Sequence, residues 1–361
     1  MLGFLLAREG VPVTVLEKHQ DFFRDFRGDT IHPSTLELLY QLGLFDRFLE
    51  IRHSKISHLS GVVGGYRATV ADFSHLPTRA KYIALMPQWD FLDFLAAEAA
   101  KFPNFTLRMG WEATELLQSD GVTTGVLART PEGIVEIPAT LTVGCDGRRA
   151  ISRQAAHLPL IEQGVPIDVL WLRLPRHDGD PENALGYVNY GRLIGLLNRI
   201  DYFQVACLIA KGSFPQLQQA GLSAFQQSLI RIVPFLADRV SEIDSWDKVK
   251  LLTVQVNRLT QWSSPGLLCI GDAAHAMSPV GGIGINIALQ DAVAAANILA
   301  EPLRSNSLTP HHLKWVQQYR EKAVRRTQAV QIFAHRILNR VLQNPGPVRP
   351  PLHPPGPPSG R

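Results

Sequence analysis

The chain has 361 residues, of which 45% are hydrophobic and 19% charged, and 36 Lys and Arg face 32 Asp and Glu. This is globular composition, which excludes a disordered or fibrous protein. The net charge of +4 is small, and the basic residues form no run with interleaved aromatics, so we expect no nucleic-acid partner. No apolar stretch reaches the roughly 18 residues of an integral membrane segment, and the apolar start lacks the basic region of a signal peptide.

The cysteines Cys145, Cys207 and Cys269 form no CxxC pair. An odd number of unpaired cysteines favours a reducing compartment, so we expect a cytoplasmic protein with buried, unreactive thiols. We assign no metal ligands.

The first residues predict the second half of a helix that ends at Gly10, followed by a strand over Val11–Leu16 that ends at Glu17. Helix, tight turn, strand and acid form the back half of a dinucleotide-binding βαβ unit, in which the acid binds ribose hydroxyls. The glycine fingerprint of such a unit lies about 20 residues before the acid, which places it ahead of Met1. The alternative is that Glu17 is a solvated carboxylate at a strand end.

Helix and strand signals alternate through the middle of the chain. A capping box at Ser34–Glu37 opens a helix that stops at Gly43, residues 56–86 predict sheet and turns, and an amphipathic helix runs from Gln88 to Lys101. Two strand pairs and a buried strand are expected next: Phe105–Met109 with Ala113–Gln118, Gly125–Arg129 with Gly133–Ile137, and Leu141–Gly144.

Short strands such as Asp168–Leu174 and Tyr202–Ile209 then dominate, with a helical stretch around Ser223–Val233. This pattern favours a substrate-covering sheet domain inserted into a nucleotide-binding domain. A basic helix follows over about His311–Leu342. The expected domains are 1–160 (with a sheet excursion at about 56–86), 161–256 for the sheet domain, 257–342 for the second part of the nucleotide-binding domain, and 343–361 for a disordered Pro-rich tail.

The most informative segment begins with an apolar strand from Leu267 that ends at Gly271-Asp272. Ligands bind at the carboxyl ends of strands in open α/β sheets, and a carboxylate there accepts hydrogen bonds from a polyol. The glycine-rich run from Pro279 to Asn286 opens an Ala- and Leu-rich helix, whose first N–H groups suit a ligand oxygen or an anion. The alternative is that Asp272 caps a helix. We interpret His275 as a packed or capping histidine.

This segment resembles the Gly-Asp motif of the class A flavoprotein monooxygenases, the family typified by p-hydroxybenzoate hydroxylase and the ubiquinone-biosynthesis hydroxylases. Val143-Gly-Cys-Asp-Gly-Arg-Arg-Ala-Ile-Ser-Arg153 resembles the Asp-Gly motif of that family, with Ala150 where a small Ser or Gly is usual. Phe26-Arg-Gly-Asp-Thr30 is similar to the segment whose Arg approaches the FAD. The resemblance covers the chain from Met1 to about Leu342, and the two motifs together are specific.

The resemblance implies an α/β fold: a Rossmann-like FAD-binding domain of the glutathione-reductase type, its first strand missing, with an inserted β-sheet substrate domain. It implies that Asp272 binds the ribityl chain, that Pro279 lines the substrate side, and that Asp146 supports both the FAD pyrophosphate and NAD(P)H. Asp146 as a helix cap and Arg27 as a surface residue are the alternatives. The implied cofactor-binding residues are Glu17, Arg27, Gln88, Asp146, Gly271, Asp272, Pro279, Gly281, Gly282, Ile283, Gly284, Ile285 and Asn286.

The reaction implied by the resemblance is hydroxylation or epoxidation of an aromatic or unsaturated substrate by O2, with NAD(P)H as co-substrate and a flavin C4a-hydroperoxide as oxygen donor. The cofactor carries this chemistry, so we assign no catalytic side chain. We expect a small aromatic, polyketide-like or quinone-like substrate and a monomer or homodimer. The alternatives are a flavin-dependent reductase or dehydrogenase of the same superfamily, and a truncated, non-catalytic flavoprotein remnant.

The basic C-terminal helix leaves one further choice open. An amphipathic surface for membrane-soluble substrates is conceivable there, and a solvated face explains the same charges. The basic residues concerned are Lys314, Arg320, Lys322, Arg325 and Arg326.

Overall fold

The computed structural model describes residues 1–23, 30–181 and 185–348. They divide into a first unit (Met1–His53, Thr78–Val165 and Val254–Phe333) and a second unit (Ser54–Pro77, Pro166–Thr253 and the chain from Ala334). The predictions for Arg27 and for the tail beyond residue 348 fall outside the described residues. None of the described helices is both long enough and apolar enough to span a bilayer.

The helices follow the periodic segments of the sequence closely. They are α1 (Leu2–Arg8), α2 (Pro33–Gln41), α3 (Phe45–Leu49), α4 (Gln88–Ala99), α5 (Ile151–Ala155), α6 (Phe214–Ala220), α7 (Leu222–Ile232), α8 (Gly284–Arg304) and α9 (Pro310–Leu342).

The strands are short and numerous. In chain order they are β1 (Val13–Glu17), β2 (Thr30–Ile31), β3 (Ser54–Ile56), β4 (His58–Val63), β5 (Tyr66–Asp72), β6 (Ile83–Leu85), β7 (Phe105–Met109), β8 (Glu112–Ser119), β9 (Val122–Thr130), β10 (Gly133–Pro138), β11 (Thr142–Gly144), β12 (Leu160–Gln163), β13 (Ile167–Pro175), β14 (Leu185–Asn189), β15 (Arg192–Asn198), β16 (Tyr202–Ala210), β17 (Lys250–Leu252), β18 (Val256–Leu259), β19 (Ser263–Ser264) and β20 (Leu267–Cys269).

Two parallel strand pairs organise the first unit. β1 pairs with β7, and β11 pairs with β20, which also pairs with β19. The expected pairing of Phe105–Met109 with Ala113–Gln118 is wrong, because β8 pairs with β9 instead. The Asn104 side chain donates to the backbone oxygens of Ala7 and Val11, at 2.9 and 2.8 Å, and so holds β7 beside β1. The expected hairpin of β9 and β10 is confirmed.

The predicted capping box at the start of α2 is wrong. The helix begins two residues earlier, with His32 in place of Ser34 as N-cap and Pro33 in its first turn, and no side chain caps it. Proline is preorganised for the first helical position, since its φ is fixed and it has no N–H to satisfy. Glu37 instead accepts a hydrogen bond from the backbone N–H of Arg79 at 3.1 Å.

The second unit is built on a seven-stranded sheet in the order β17-β13-β16-β15-β14-β4-β5. The apolar side of α7, with Phe225, Leu229 and Ile232, packs in a core with Leu170 and Leu172 of β13. The sequence pattern predicts the hairpin β4–β5 as a sheet excursion of the first domain. It lies in the second unit because β4 pairs in parallel with β14, more than 120 residues further along the chain.

The cysteines divide into two kinds. Cys207 and Cys269 are buried, and burial raises the pKa of each thiol to about 11, so both stay protonated at neutral pH. Cys145 is exposed, and the expectation that it is buried is wrong. Cys145 is the first residue after β11 and directly precedes Asp146 and Gly147 of the Asp-Gly motif.

The turn between β19 and β20 requires glycine. Gly266 has a φ of +74°, and a Cβ there would lie 1.9 Å from the backbone oxygen of Thr123. Gly10 has a similar φ of +83°, but a Cβ there would meet nothing within 4 Å. A substitution at Gly10 therefore meets backbone strain alone, whereas one at Gly266 meets backbone strain and a steric clash.

We expect Gly266→Ala to lower the free energy of unfolding more than Gly10→Ala. The left-handed backbone costs an Ala about 1–2 kcal/mol at either position, whereas overpacking adds about 1–3 kcal/mol at Gly266 only. Chemical denaturation of the two variants measures the difference. Equal losses would contradict the turn described here.

Candidate functional site

The two sequence motifs meet at one edge of the first unit. Asp146 follows β11 and Asp272 follows β20, and these strands are parallel neighbours. The carboxyl ends of such strands lie at the same edge, where open α/β sheets bind ligands. Arg148 Nε donates to Asp272 Oδ2 at 3.3 Å, and the Asp272 side chain remains 37% exposed. The Asp272 carboxylate is therefore oriented yet accessible.

Asp146 has the geometry of a helix cap. Its Oδ2 accepts from the backbone N–H of Ser152 at 3.0 Å, and its Oδ1 accepts from the Ser152 hydroxyl at 2.7 Å. Arg153 in the same helix is buried and donates to the backbone oxygens of Ala273, at 3.2 Å, and of Arg148. The Asp-Gly segment thus braces the turn that carries Asp272.

The N-terminus of α8 is open. No side chain caps it, and Gly281 and Gly282 lead into it with φ values of +85° and +61°. Among the described residues, no acceptor meets the backbone N–H groups of Gly284, Ile285 and Asn286. A helix of 21 residues concentrates partial positive charge at this end. The site can therefore bind an anion or a carbonyl oxygen.

The Asn286 side chain is fully occupied by the protein. Its Oδ1 accepts from the backbone N–H of His32, at 2.9 Å, and from the Thr35 hydroxyl, at 2.8 Å. Its Nδ2 donates to the backbone oxygens of Thr30, at 3.0 Å, and Gly282, at 3.2 Å. These four bonds use both donors and both lone pairs of the amide. Asn286 can therefore offer a ligand only its backbone N–H.

Gly282 lies in close contact with β2. The Thr30 hydroxyl donates to the Gly282 oxygen at 2.6 Å, and a Cβ on Gly282 would lie 2.2 Å from the same hydroxyl. His32 makes a further hydrogen bond, to the backbone of Gly281. Burial lowers the pKa of the His32 imidazole, and this effect exceeds the raising effect of the hydrogen bond. His32 is therefore neutral at neutral pH and adds no charge beside the head of α8.

A buried network around Asp291 supports the turn that carries Asp272. Asp291 is fully buried, and its carboxylate accepts from Arg320 Nε at 2.8 Å and from the backbone N–H of Gly271 at 3.1 Å. His275 Nε2 lies 2.6 Å from Asp291 Oδ2, the oxygen that also accepts from Gly271. Burial opposes ionisation of Asp291, but His275 and Arg320 outweigh it and lower its pKa. His275 is thus packed inside the protein, as the sequence analysis interprets it.

The remaining predicted residues lie on separate elements of the first unit. Glu17 ends β1, and its Oε1 accepts from the backbone N–H of His19 at 3.0 Å. Gln88 is the first residue of α4, and Pro279 closes a turn by accepting from the Gly282 N–H at 2.9 Å. All three are half-buried.

Sequence reasoning missed the partners that hold the site together. The signal for Arg320 was present: it falls on the buried stripe of α9 with Leu313, Val316 and Val324. A charge on such a stripe requires a buried partner of opposite charge. Of the two acids of α8, Asp291 lies in the middle of the apolar helix and Glu301 near its exposed end. Nothing in the sequence pairs Thr30, His32 or Thr35 with Asn286.

The comparisons with known proteins give the family. A family model described as an FAD binding domain matches residues 1–332, and the chain belongs to this family. The chain is 28% identical over 365 residues to 6-methylpretetramide 4-monooxygenase of Streptomyces rimosus, covering 97% of this chain and 84% of that protein.

Further relatives agree in fold. The uncharacterized aromatic compound monooxygenase YhjG of Bacillus subtilis is 27% identical over 319 residues, covering 85% of this chain and 61% of YhjG. The structure of pqsL, a probable FAD-dependent monooxygenase from Pseudomonas aeruginosa, matches with a TM-score of 0.79 at 18% identity, covering 95% of each chain. The resemblance to the class A flavoprotein monooxygenases is confirmed, and with it the α/β FAD-binding fold and, at the level of the family, the general function of an FAD-dependent monooxygenase.

We expect Asn286→Ala to lower the free energy of unfolding by about 2–4 kcal/mol, because it leaves the half-buried His32 N–H and the buried Thr35 hydroxyl without their acceptor. Chemical denaturation checks this, with Gln318→Ala on the exposed side of α9 as the matched control. A loss no larger than that of the control would contradict the role given to the Asn286 side chain.

Proposed function

We propose that the first unit binds FAD and that the enzyme inserts one atom of O2 into a small aromatic substrate, with NAD(P)H as the reductant. In the overall reaction, substrate, O2, NAD(P)H and a proton give hydroxylated substrate, NAD(P)⁺ and water. Two observations together carry the proposal: the N-terminus of α8 is open, and the accessible Asp272 carboxylate stands on a turn that packs against α8.

The donor and acceptor groups of this edge fit the chemistry of FAD. Asp272 is a charged acceptor and suits the hydroxyl groups of the ribityl chain. The N–H groups of Gly284, Ile285 and Asn286 suit the pyrimidine edge of the flavin, whose oxygens and negative charge in the reduced state they would stabilise. FAD supplies the electron transfer and the oxygen activation when it is bound.

Other residues have supporting roles in this proposal. Glu17 at the end of β1 would accept from the ribose hydroxyls, and Gln88 and Pro279 would contact the flavin and the substrate side. Asp146 would act indirectly, by capping α5. Arg153 of α5 and the nearby Arg148 in turn hold the turn that carries Asp272.

The relatives support an aromatic substrate. One is named for 6-methylpretetramide and another for aromatic compounds. We therefore propose a polycyclic aromatic of the polyketide type, which needs an electron-rich ring to receive the oxygen atom.

We expect Asp272→Asn to raise the Kd for FAD about 10- to 100-fold. A hydrogen bond to a charged group is worth about 1.5–3 kcal/mol, and each 1.4 kcal/mol is a factor of about ten. Flavin fluorescence titration of the purified chain measures the Kd, and Asp247→Asn, an exposed acid of the second unit, is the control. An unchanged Kd in Asp272→Asn would remove Asp272 from the site.

The activity is tested with the FAD-loaded chain, NADPH and a panel of hydroxylated polycyclic aromatics under ¹⁸O2. The expected product carries one ¹⁸O atom, detected by mass spectrometry. Substrate turnover without O2 would instead identify a reductase or dehydrogenase, and FAD binding without NADPH consumption across the panel would contradict the monooxygenase proposal.

A further inference from the structure

The outer side of α9 is an unusual surface for a solvent-facing helix. We define the outer face of α9 as its exposed residues between Lys314 and Phe333: Lys314, Trp315, Gln318, Tyr319, Lys322, Arg325, Arg326, Ala329, Val330 and Phe333. We propose that this face binds the surface of an anionic lipid bilayer. The proposal does not depend on the reaction that the enzyme catalyses.

The opposite side of α9 is fixed to the first unit. Leu313, Val316 and Val324 are buried in its core. Arg320 pairs with Asp291 at 2.8 Å, and Gln331 Nε2 donates to the backbone oxygen of Ser278 at 2.9 Å. The helix therefore cannot rotate to bury its outer residues, and these residues are available to a partner.

Large apolar side chains line the outer face. Trp315 is 52% exposed, Tyr319 70%, Val330 69% and Phe333 63%. Their spacing follows the helical period, so they form one stripe, with Lys322 and Arg326 on the same stripe between them. From Trp315 to Phe333 the helix rises about 27 Å at roughly 1.5 Å per residue. Two pairs of exposed apolar side chains therefore flank a basic centre on one face of the helix, which is the composition of an interaction site rather than of a solvated face.

The charge on this face has one sign. Its charged residues are Lys314, Lys322, Arg325 and Arg326, and the half-buried Glu321 beside it lies 3.9 Å from Arg325. Basic side chains are attracted to anionic lipid headgroups, while Trp and Tyr prefer the headgroup region of a bilayer. The long Lys and Arg side chains can reach outward while the aromatic rings insert. The combination fits a helix that lies flat on a membrane surface.

A second copy of the chain fits this face poorly. In the two-fold antiparallel pairing that brings Trp315 against Phe333 of the other copy, Lys322 of each copy meets Arg326 of the other. A symmetric interface repeats this contact twice, so four positive charges face one another at its centre. An anionic bilayer surface would instead attract Lys322 and Arg326, because its charge is opposite to theirs.

The experiment is co-sedimentation of the full 361-residue chain with sucrose-loaded vesicles. One set contains phosphatidylcholine alone, and the other contains about 30% phosphatidylglycerol. The apolar variant is Trp315→Ser with Phe333→Ser, and the charge variant is Lys322→Glu with Arg326→Glu. The matched control is Arg67→Glu with Lys250→Glu, which makes the same change of net charge at exposed positions of the second unit. Circular dichroism verifies that each variant is folded.

We expect the chain to bind the anionic vesicles at least tenfold more tightly than the neutral ones, and to lose this preference in 0.5 M NaCl. Both outer-face variants should weaken binding about tenfold or more, and the control less than threefold. Equal binding to both vesicles, or an equal loss in the control, would overturn the proposal. So would a dimer on size-exclusion chromatography that the apolar variant dissociates, or binding to polyglutamate without binding to vesicles, which would indicate an acidic protein.

Discussion

The candidate site depends on the buried side-chain amide of Asn286, whose hydrogen bonds are all made within the protein. Asn286 is 3% exposed and its side chain makes four hydrogen bonds. Three of them join the first turn of α8 to the segment from Thr30 to Thr35. Each such bond contributes about 1 kcal/mol net, but a buried partner left unsatisfied costs more. This holds the helix head in one orientation. The N–H groups beside it can therefore stay open to a ligand without loss of order.

The second constraint is the carboxylate of Asp291, which ties α8 to α9. A fully buried acid needs partners that compensate for its lost hydration. Arg320 supplies the opposite charge, and His275 Nε2 lies within hydrogen-bond distance of the same carboxylate. The same acid accepts the backbone N–H of Gly271, the residue before Asp272. One network therefore fixes both the acidic turn of the candidate FAD site and the helix whose outer face we propose for membrane binding.

The periodic and motif-bearing parts of the fold were predictable from the sequence. The bounds of α4 and α9, the hairpin of β9 and β10 and the helix after the glycine-rich run all follow from local patterns. The partner of β7 did not, because parallel pairing with β1 joins residues about 90 apart and leaves no local signal. The start of α2 was misplaced because Pro33 prevailed over a capping box.

The site shows the same division. Asp272 and the glycine run could be located from the motif, since chemistry and backbone freedom both leave marks in the sequence. The hydrogen bonds of Asn286 could not, because an Asn in a helix gives no sign of which distant backbone groups it meets. Asp146 carried two interpretations, and only coordinates place Ser152 against both of its oxygens.

We propose that FAD binds at the open N-terminus of α8. Hydrogen–deuterium exchange of the full chain, followed by mass spectrometry with and without FAD, tests it most directly, because unpaired first-turn amides exchange quickly. We predict that FAD slows exchange at Gly284, Ile285 and Asn286 about tenfold or more. Protection of other segments by bound FAD, with exchange at these three amides unchanged, would show that FAD does not bind at the N-terminus of α8.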